Sequence, residues 1–188
     1  VTPAARYCLR LFVWAFGCSL AAGVQAGDWP QYRGAKGDGV SAEEVLTAPV
    51  KLWDASVGTG YSSVVISGGR VFATGHVETG GGLGKDTVFC LDAATGNEVW
   101  RFAYNCRSTV GTFGGPGITL PADLETAGPR ATPATDGARV YTLSIDGHLF
   151  CLDAATGAVV WYRNVPVHLG GVAGAYGFAS SPMLNGGV

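Results

Sequence analysis

Short apolar runs separated by turn residues dominate the chain after residue 26, and no segment there repeats its apolar residues at the helical period. The runs are rich in valine, phenylalanine and tyrosine, and they alternate with clusters of glycine, aspartate, asparagine and serine. This pattern is typical of antiparallel all-β folds built from short strands. We therefore predict almost no helix in this part of the chain.

One phrase occurs twice, at residues 88–96 and 149–157, and both copies share the letters Phe-Cys-Leu-Asp-Ala-Ala-Thr-Gly. Each copy is followed four residues later by a tryptophan, Trp100 or Trp161. An internal repeat this close indicates that the chain stacks copies of one small structural unit.

The repeated phrase predicts a hairpin with a defined turn. Apolar residues lead into Asp92 and Asp153, whose carboxylates can accept backbone N–H bonds within a turn. Gly96 and Gly157 can take the positive φ that ends such a turn, after which the second strand begins. The positions to which we assign these structural roles are Asp92, Thr95, Gly96, Trp100, Asp153, Thr156, Gly157 and Trp161.

A further strand pair is predicted upstream of each hairpin, so each unit should hold four strands. The predicted pairs are Val64 to Ile66 with Arg70 to Thr74, and Ala131 to Thr135 with Arg139 to Ile145. Asp146-Gly147 predicts a two-residue type I′ hairpin turn, which requires positive φ at both central residues. A third unit begins at about residue 177, where Phe178-Ala-Ser-Ser-Pro182 matches the start of the second unit.

With these units the chain resembles the quinoprotein-type β-propeller repeat, or PQQ-like repeat, whose units carry Leu-Asp-x-x-Thr-Gly-x-x-x-Trp. The resemblance covers about residues 49–188 and implies an all-β β-propeller of four-stranded antiparallel blades. Blades would span about residues 61–102 and 128–165, with the next starting near 177. The chain would thus hold about two full blades, a closing strand and the start of a third blade. We expect this polypeptide not to fold independently of the other blades of the propeller.

The resemblance also implies roles for three tryptophans. In this family the tryptophan of each outermost strand packs against the turn of the neighbouring blade, and Trp100 and Trp161 occupy that position. Trp53 matches the same outer strand without the rest of a blade before it, as in a strand that closes the ring. The phrases at residues 28–34, 58–63 and 176–182 resemble an exported bacterial subgroup, although Val64 replaces its usual proline.

The first 26 residues predict a signal peptide. Arg6 and Arg10 precede an apolar run, and Val24-Gln25-Ala26 supplies small residues for cleavage before Gly27. The mature protein would have an N-terminal extension at 27–48, no transmembrane span, and a periplasmic or cell-envelope location. A retained membrane anchor and lipidation of Cys18 are the alternatives, and the true N-terminus stays open.

Charge argues against nucleic acid as a partner. Residues 1–26 hold two of the 12 basic residues and none of the 14 acidic ones, so the remainder has 10 basic and 14 acidic residues and a net charge of −4. A mildly acidic domain without a basic run is a poor nucleic-acid binder.

Residue types that carry chemistry are scattered. Cys90 and Cys151 hold equivalent positions that predict buried apolar roles, and Cys106 is assigned to a loop. No Cys-x-x-Cys spacing occurs, and the three histidines, His76, His148 and His168, are assigned to loops or hairpins without metal spacing. The glycine-rich residues 79–86 lack the pattern of a phosphate loop and predict an insertion between strands. We predict no catalytic residue and no metal site.

Two long connections, at about residues 105–130 and 166–176, are the candidate binding regions, because long loops on rigid scaffolds often carry recognition. The alternative is that they only cover blade edges. The side chains most able to contact a partner are Tyr104, Arg107, Phe113, Arg130, His168 and Tyr176.

Two function classes follow. The first is a non-catalytic exported propeller without cofactor, acting as a binding or assembly scaffold for a protein or carbohydrate partner. The alternative is a dehydrogenase of alcohols or sugars, in which pyrroloquinoline quinone over Ca²⁺ accepts a hydride and an aspartate removes the hydroxyl proton. Such enzymes use an adjacent cysteine pair, which this sequence lacks, and Glu, Asn and Asp ligands, which cannot be assigned here. Blade number and ligand stay open.

Overall fold

Two four-stranded antiparallel sheets make up the described part of the computed structural model, which covers residues 27–43, 48–79, 84–106, 128–174 and 176–185. The first sheet contains β1 (Val65–Ser67), β2 (Arg70–Glu78), β3 (Gly84–Asp92) and β4 (Glu98–Cys106). The second contains β5 (Ala134–Thr135), β6 (Arg139–Leu143), β7 (His148–Asp153) and β8 (Val159–Asn164), and a short helix α1 (Val165–Leu169) follows. Strands adjacent in sequence are adjacent in each sheet, so the all-β prediction is confirmed.

The two sheets repeat one register. Cys90 pairs with Trp100 in the first sheet and Cys151 pairs with Trp161 in the second, and an irregularity follows each cysteine at the next position. Since the same residues sit opposite each other in both sheets, the repeated sequence produces the same hairpin geometry twice.

The turns of the two hairpins are closed by the same hydrogen bonds. Asp92 Oδ1 accepts from Ala94 N at 3.1 Å and from Thr95 N and Oγ1, both at 2.9 Å. Asp153 makes the equivalent bonds in the second sheet. These bonds lower the pKa of Asp92, with the Thr95 hydroxyl as the largest cause. Gly96 ends its turn at φ 73°, a conformation that costs glycine little.

The core lies between the two sheets. It combines buried side chains of both, so that burial of apolar surface holds one sheet against the other. Its members are Val65, Phe72, Val88, Cys90, Trp100, Val140, Phe150, Leu152 and Ala154.

A five-residue helix, α1, occupies part of the second long connection, at about residues 166–176, whereas the sequence predicts almost no helix. Asn164 caps it, because its side chain accepts from Val167 N at 3.0 Å, and Pro166 suits the first turn, where a missing N–H removes no bond. Gly170 ends the helix in the left-handed conformation at φ 65°.

The inner strand of the second sheet, β5, is shorter than the predicted 131–135. Pro133 has no N–H to give to a ladder, and Thr132 N donates instead to Ser181 Oγ at 2.9 Å. The strand pairing is therefore limited to two residues, because the preceding ones bond across to the next unit.

The predicted type I′ turn at Asp146-Gly147 is wrong. Ser144 pairs with His148, since Ser144 N donates to His148 O at 3.0 Å. Within the loop, Gly147 N donates to Ser144 O at 3.0 Å. Among residues 145–147 only Gly147 has positive φ, so the loop has three residues and ends in a glycine bulge. The predicted strand to Ile145 ends at Leu143 for the same reason.

Candidate functional site

Two tryptophans dock on neighbouring turns in the same way. Trp100 Nε1 donates to Ala154 O at 3.0 Å, and its ring lies so close to Gly157 that a Cβ there would be 2.6 Å from it. Trp53 Nε1 donates to Ala93 O at 3.0 Å, and its ring covers Gly96 at the same 2.6 Å. Trp53 therefore makes the same contact with the turn of the first sheet that Trp100 makes with the turn of the second. Unlike Trp100, Trp53 does not lie in a strand.

Trp161 is placed differently from the other two repeat tryptophans. Its side chain is 37% exposed, and its ring lies 6.1 Å from that of Tyr141 at a tilt of 49°. Trp161 borders a cleft of about 670 Å³, which residues of β6 and β7 and residues 180–185 also line.

The strongest candidate contact is an arginine held between two tyrosine rings. Arg130 Cζ lies 4.6 Å from the ring centroid of Tyr61 and 5.6 Å from that of Tyr176. The rings are 39% and 49% exposed. We call these three residues the arginine stack. A guanidinium is attracted to the negative faces of aromatic rings, so both tyrosines help to fix its position.

The arginine stack lies where the inner strands of three successive units begin. Tyr61 and Arg130 precede β1 and β5, and Tyr61 N donates to Pro129 O at 2.8 Å. Next to it, two hydrogen bonds from backbone N–H groups to side-chain hydroxyls join the units. Ser63 N donates to Thr132 Oγ1 at 3.2 Å, and Thr132 N donates to Ser181 Oγ. These contacts bring the starts of neighbouring inner strands together.

Tyr104 lies inside β4 rather than in a loop, which corrects the prediction. Its ring packs 4.7 Å from Phe150 and 5.8 Å from Phe102 and from His148. Burial, and next the nearby Asp86 carboxylate, raise the pKa of Tyr104 well above its usual range. The strand continues beyond Trp100 because the long β3 supplies partners as far as Cys106.

His168 lies at the far end of the aromatic cluster to which Tyr104 belongs. We use this name for the contacting rings of Phe102, Tyr104, His148, Phe150, Tyr162 and His168. The ring of His168 is 6.2 Å from Tyr162, and its Nδ1 accepts from Asn164 N at 2.8 Å. Tyr162 in turn bonds His148 through its hydroxyl at 2.8 Å. The cluster thus links Tyr104 to His168 through packed rings across β7 and β8.

His76 lies within the hairpin of β2 and β3, as the prediction of a loop or hairpin allows, and two residues beyond the predicted strand end at Thr74. It lies in β2 and is 4% exposed, and its Nδ1 is 2.8 Å from Asp86 Oδ1, which is equally buried. The register of β2 and β3 places the two residues opposite each other. A cross-strand pair of this kind follows from register, and the sequence shows it only once the hairpin length is known.

The cysteines are buried. Burial raises the pKa of the Cys90 and Cys151 thiols, as the predicted apolar role requires. Cys106, predicted in a loop, is instead the last residue of β4, and its thiol donates to Asp146 Oδ2 at 3.4 Å.

The six predicted contact residues therefore separate into groups. Arg130 and Tyr176 meet in the arginine stack, whereas Tyr104 and His168 belong to the aromatic cluster. Arg107 and Phe113 lie outside the described residues. The sequence prediction did not include Tyr61. It could have been identified because Tyr61 and Arg130 occupy equivalent positions just before the inner strands of their units.

Among the described residues, no three His, Cys, Asp or Glu side chains converge in a way that could hold a metal ion. In the same ranges no helix has the length and apolar character needed to cross a bilayer.

Repeated four-stranded sheets joined by docked tryptophans define a β-propeller repeat protein. The family model described as outer membrane protein assembly factor BamB matches residues 45–111 and 84–188. The chain belongs to this family of PQQ-like repeats.

Solved structures align with part of the chain. The quinohemoprotein alcohol dehydrogenase from Comamonas testosteroni is 23% identical, with a TM-score of 0.43, over 60% of this chain and 14% of that chain. BamB from Moraxella catarrhalis is 22% identical, with a TM-score of 0.29, over 57% of this chain and 36% of that chain. The chain thus corresponds to a minor part of either protein. Comparison with curated proteins gave no match.

Proposed function

We propose that the chain belongs to an exported, non-catalytic β-propeller scaffold that binds another protein through the face carrying the arginine stack. The observation that carries this proposal is the placement of Arg130 between the half-exposed rings of Tyr61 and Tyr176. All three residues come from different units, so the face depends on the assembled propeller.

The chemistry of the arginine stack suits a protein partner. Tyrosine and arginine are enriched among the residues that contribute most to protein interfaces. A guanidinium held by two aromatic faces has already lost much of its rotamer freedom, so binding costs less ordering. The group that its planar donors recognise best is a carboxylate. We therefore propose an acidic side chain or chain terminus of the partner as the contact at Arg130.

The family supports the proposed location and partner class. The matching model is described as an outer-membrane protein assembly factor. On this basis we propose that the protein acts in the periplasm, after removal of residues 1–26, and that its partner is a component of outer-membrane protein assembly. The carbohydrate alternative gains no support from the comparisons.

Site-specific photo-crosslinking in cells tests the proposal with the full-length exported protein. A photoreactive phenylalanine analogue replaces Tyr176, and in a matched control it replaces Tyr32, which is 56% exposed and is not part of the arginine stack. We expect a crosslinked envelope protein from position 176 but not from position 32. Adding Arg130→Ala should weaken that crosslink, whereas Arg130→Lys, which keeps the charge, should weaken it less. Equal products from both positions, or none from position 176, would contradict the proposal.

A further inference from the structure

The segment before the first sheet lies along the free edge of its inner strand. Trp29 and Ile66 exchange two backbone hydrogen bonds, Trp29 N to Ile66 O at 2.8 Å and Ile66 N to Trp29 O at 3.0 Å. The other edge of β1 is occupied by β2. Trp29 therefore lies on the side of β1 that faces the axis of a propeller, where inner strands meet.

The same segment satisfies one backbone N–H in each of three successive units. The three donors occupy equivalent positions, each two residues after Val64, Pro133 or Pro182 in the repeat. The bonds are Ile66 N to Trp29 O at 3.0 Å, Thr135 N to Pro30 O at 2.8 Å, and Leu184 N to Gln31 Oε1 at 3.1 Å. Consecutive residues of the segment thus serve consecutive units, so the segment follows the rotation from one unit to the next.

Side-chain contacts hold the segment in this position. Asp28 accepts from Ser67 Oγ at 2.9 Å and from Gly68 N at 3.1 Å, at the turn that follows β1. The chain then reverses at Gly34, whose φ is 78° and whose Cα faces the Trp29 ring. A Cβ at Gly34 would lie 2.8 Å from that ring. The reversal therefore requires glycine for both its conformation and its space.

We propose that the inner-strand N–H groups of successive units form a peptide-binding site and that residues 28–31 of this chain are its resident ligand. The ligand class is an extended peptide that offers carbonyl oxygens, as in strand addition to a sheet edge. Backbone N–H groups without a partner would be costly at this edge, so the ligand both accepts their hydrogen bonds and sets the rotation between units.

Hydrogen exchange in the full-length exported protein tests the peptide-binding site without any partner. Gly34→Ala should push the Trp29 ring away and release residues 28–31. The amides of Ile66, Thr135 and Leu184 should then exchange together, roughly tenfold faster. Gly37→Ala is the matched control, because Gly37 has a similar φ of 70° but an added Cβ there meets nothing within 4 Å. In Gly37→Ala the amides of Ile66, Thr135 and Leu184 should exchange at their wild-type rates.

Gln31→Ala gives a second test that does not depend on the fold tolerating Gly34→Ala. It removes the acceptor of Leu184 N and the long bond from Gln31 Nε2 to Ala35 O at 3.4 Å. The acceptors of Ile66 N and Thr135 N are backbone carbonyls and remain, so only the Leu184 amide should exchange faster. The proposal is overturned if Leu184 exchange is unchanged in this variant. It is also overturned if Gly34→Ala accelerates Ile66 alone, or if Gly37→Ala accelerates all three amides equally.

Discussion

Replacement of Trp100 by alanine is the sharpest test of how the sheets are joined. The indole is 9% exposed, packs 5.9 Å from Phe72, and covers Gly157 of the next turn. Its Nε1 donates to Ala154 O at 3.0 Å. The substitution therefore removes apolar packing and a hydrogen bond at the same point, and both belong to the contact between sheets.

The expected loss follows from these contacts. Truncating a buried tryptophan to alanine costs about 3–5 kcal/mol through lost burial and a residual cavity. The carbonyl of Ala154 also loses its partner, which favours the upper half of that range if water does not replace it. Trp100→Phe should lose less, because the ring still fills most of the space above Gly157.

Chemical denaturation of the full-length protein measures this loss. Val99→Ala is the control, since Val99 is the neighbouring residue of the same strand and is 40% exposed, so its effect should stay within about 0.5 kcal/mol. A Trp100→Ala protein with unchanged stability would refute the docking role. If that protein also lost quinone binding or dehydrogenase activity, the enzyme alternative would be favoured.

Three further predictions concern processing, packing and pH. N-terminal sequencing of the exported protein should begin at Gly27, and a retained apolar segment or a lipid on Cys18 would contradict this. Tyr104→Ala should cost roughly 3 kcal/mol in denaturation, because its ring is packed in β4, whereas the exposed His168→Ala should stay within about 1 kcal/mol. The lowered pKa of Asp92 contributes stability that is complete above its unfolded pKa of about 3.9 and is lost as pH falls through the folded value. Unfolding midpoints should therefore fall less steeply below about pH 4 in Asp92→Asn than in the wild type, and parallel curves would contradict it.

The local features of the repeat were predictable because their physics is local. The carboxylate of Asp92 bonds the backbone of the next few residues, and Gly96 takes its positive φ within the same turn. A phrase that repeats these residues must repeat the hairpin. The same reasoning failed at Asp146, because a glycine bulge and a type I′ turn use the same residue types, and only the pairing of Ser144 with His148 distinguishes them.

The candidate site was predicted in part. Arg130 and Tyr176 were named because they border long connections, yet their approach to Tyr61 depends on three units standing side by side. Tyr104 was assigned to a loop because the strand signal ends soon after Trp100, whereas the long β3 extends the pairing to Cys106. Strand ends are decided by the partner strand, which short-range patterns do not contain.

By itself, the sequence determined the repeated unit, its four strands and the chemistry of its main turns, since these rest on bonds between residues a few positions apart. The tertiary structure alone decided which units touch and through which atoms. Gln31 meets Leu184 across 153 positions, Ser63 meets Thr132 across 69, and Trp53 meets Ala93 across 40. Contacts at such separations form only when the rotation between units brings them together, because burial of the shared core, rather than any local preference, selects that arrangement.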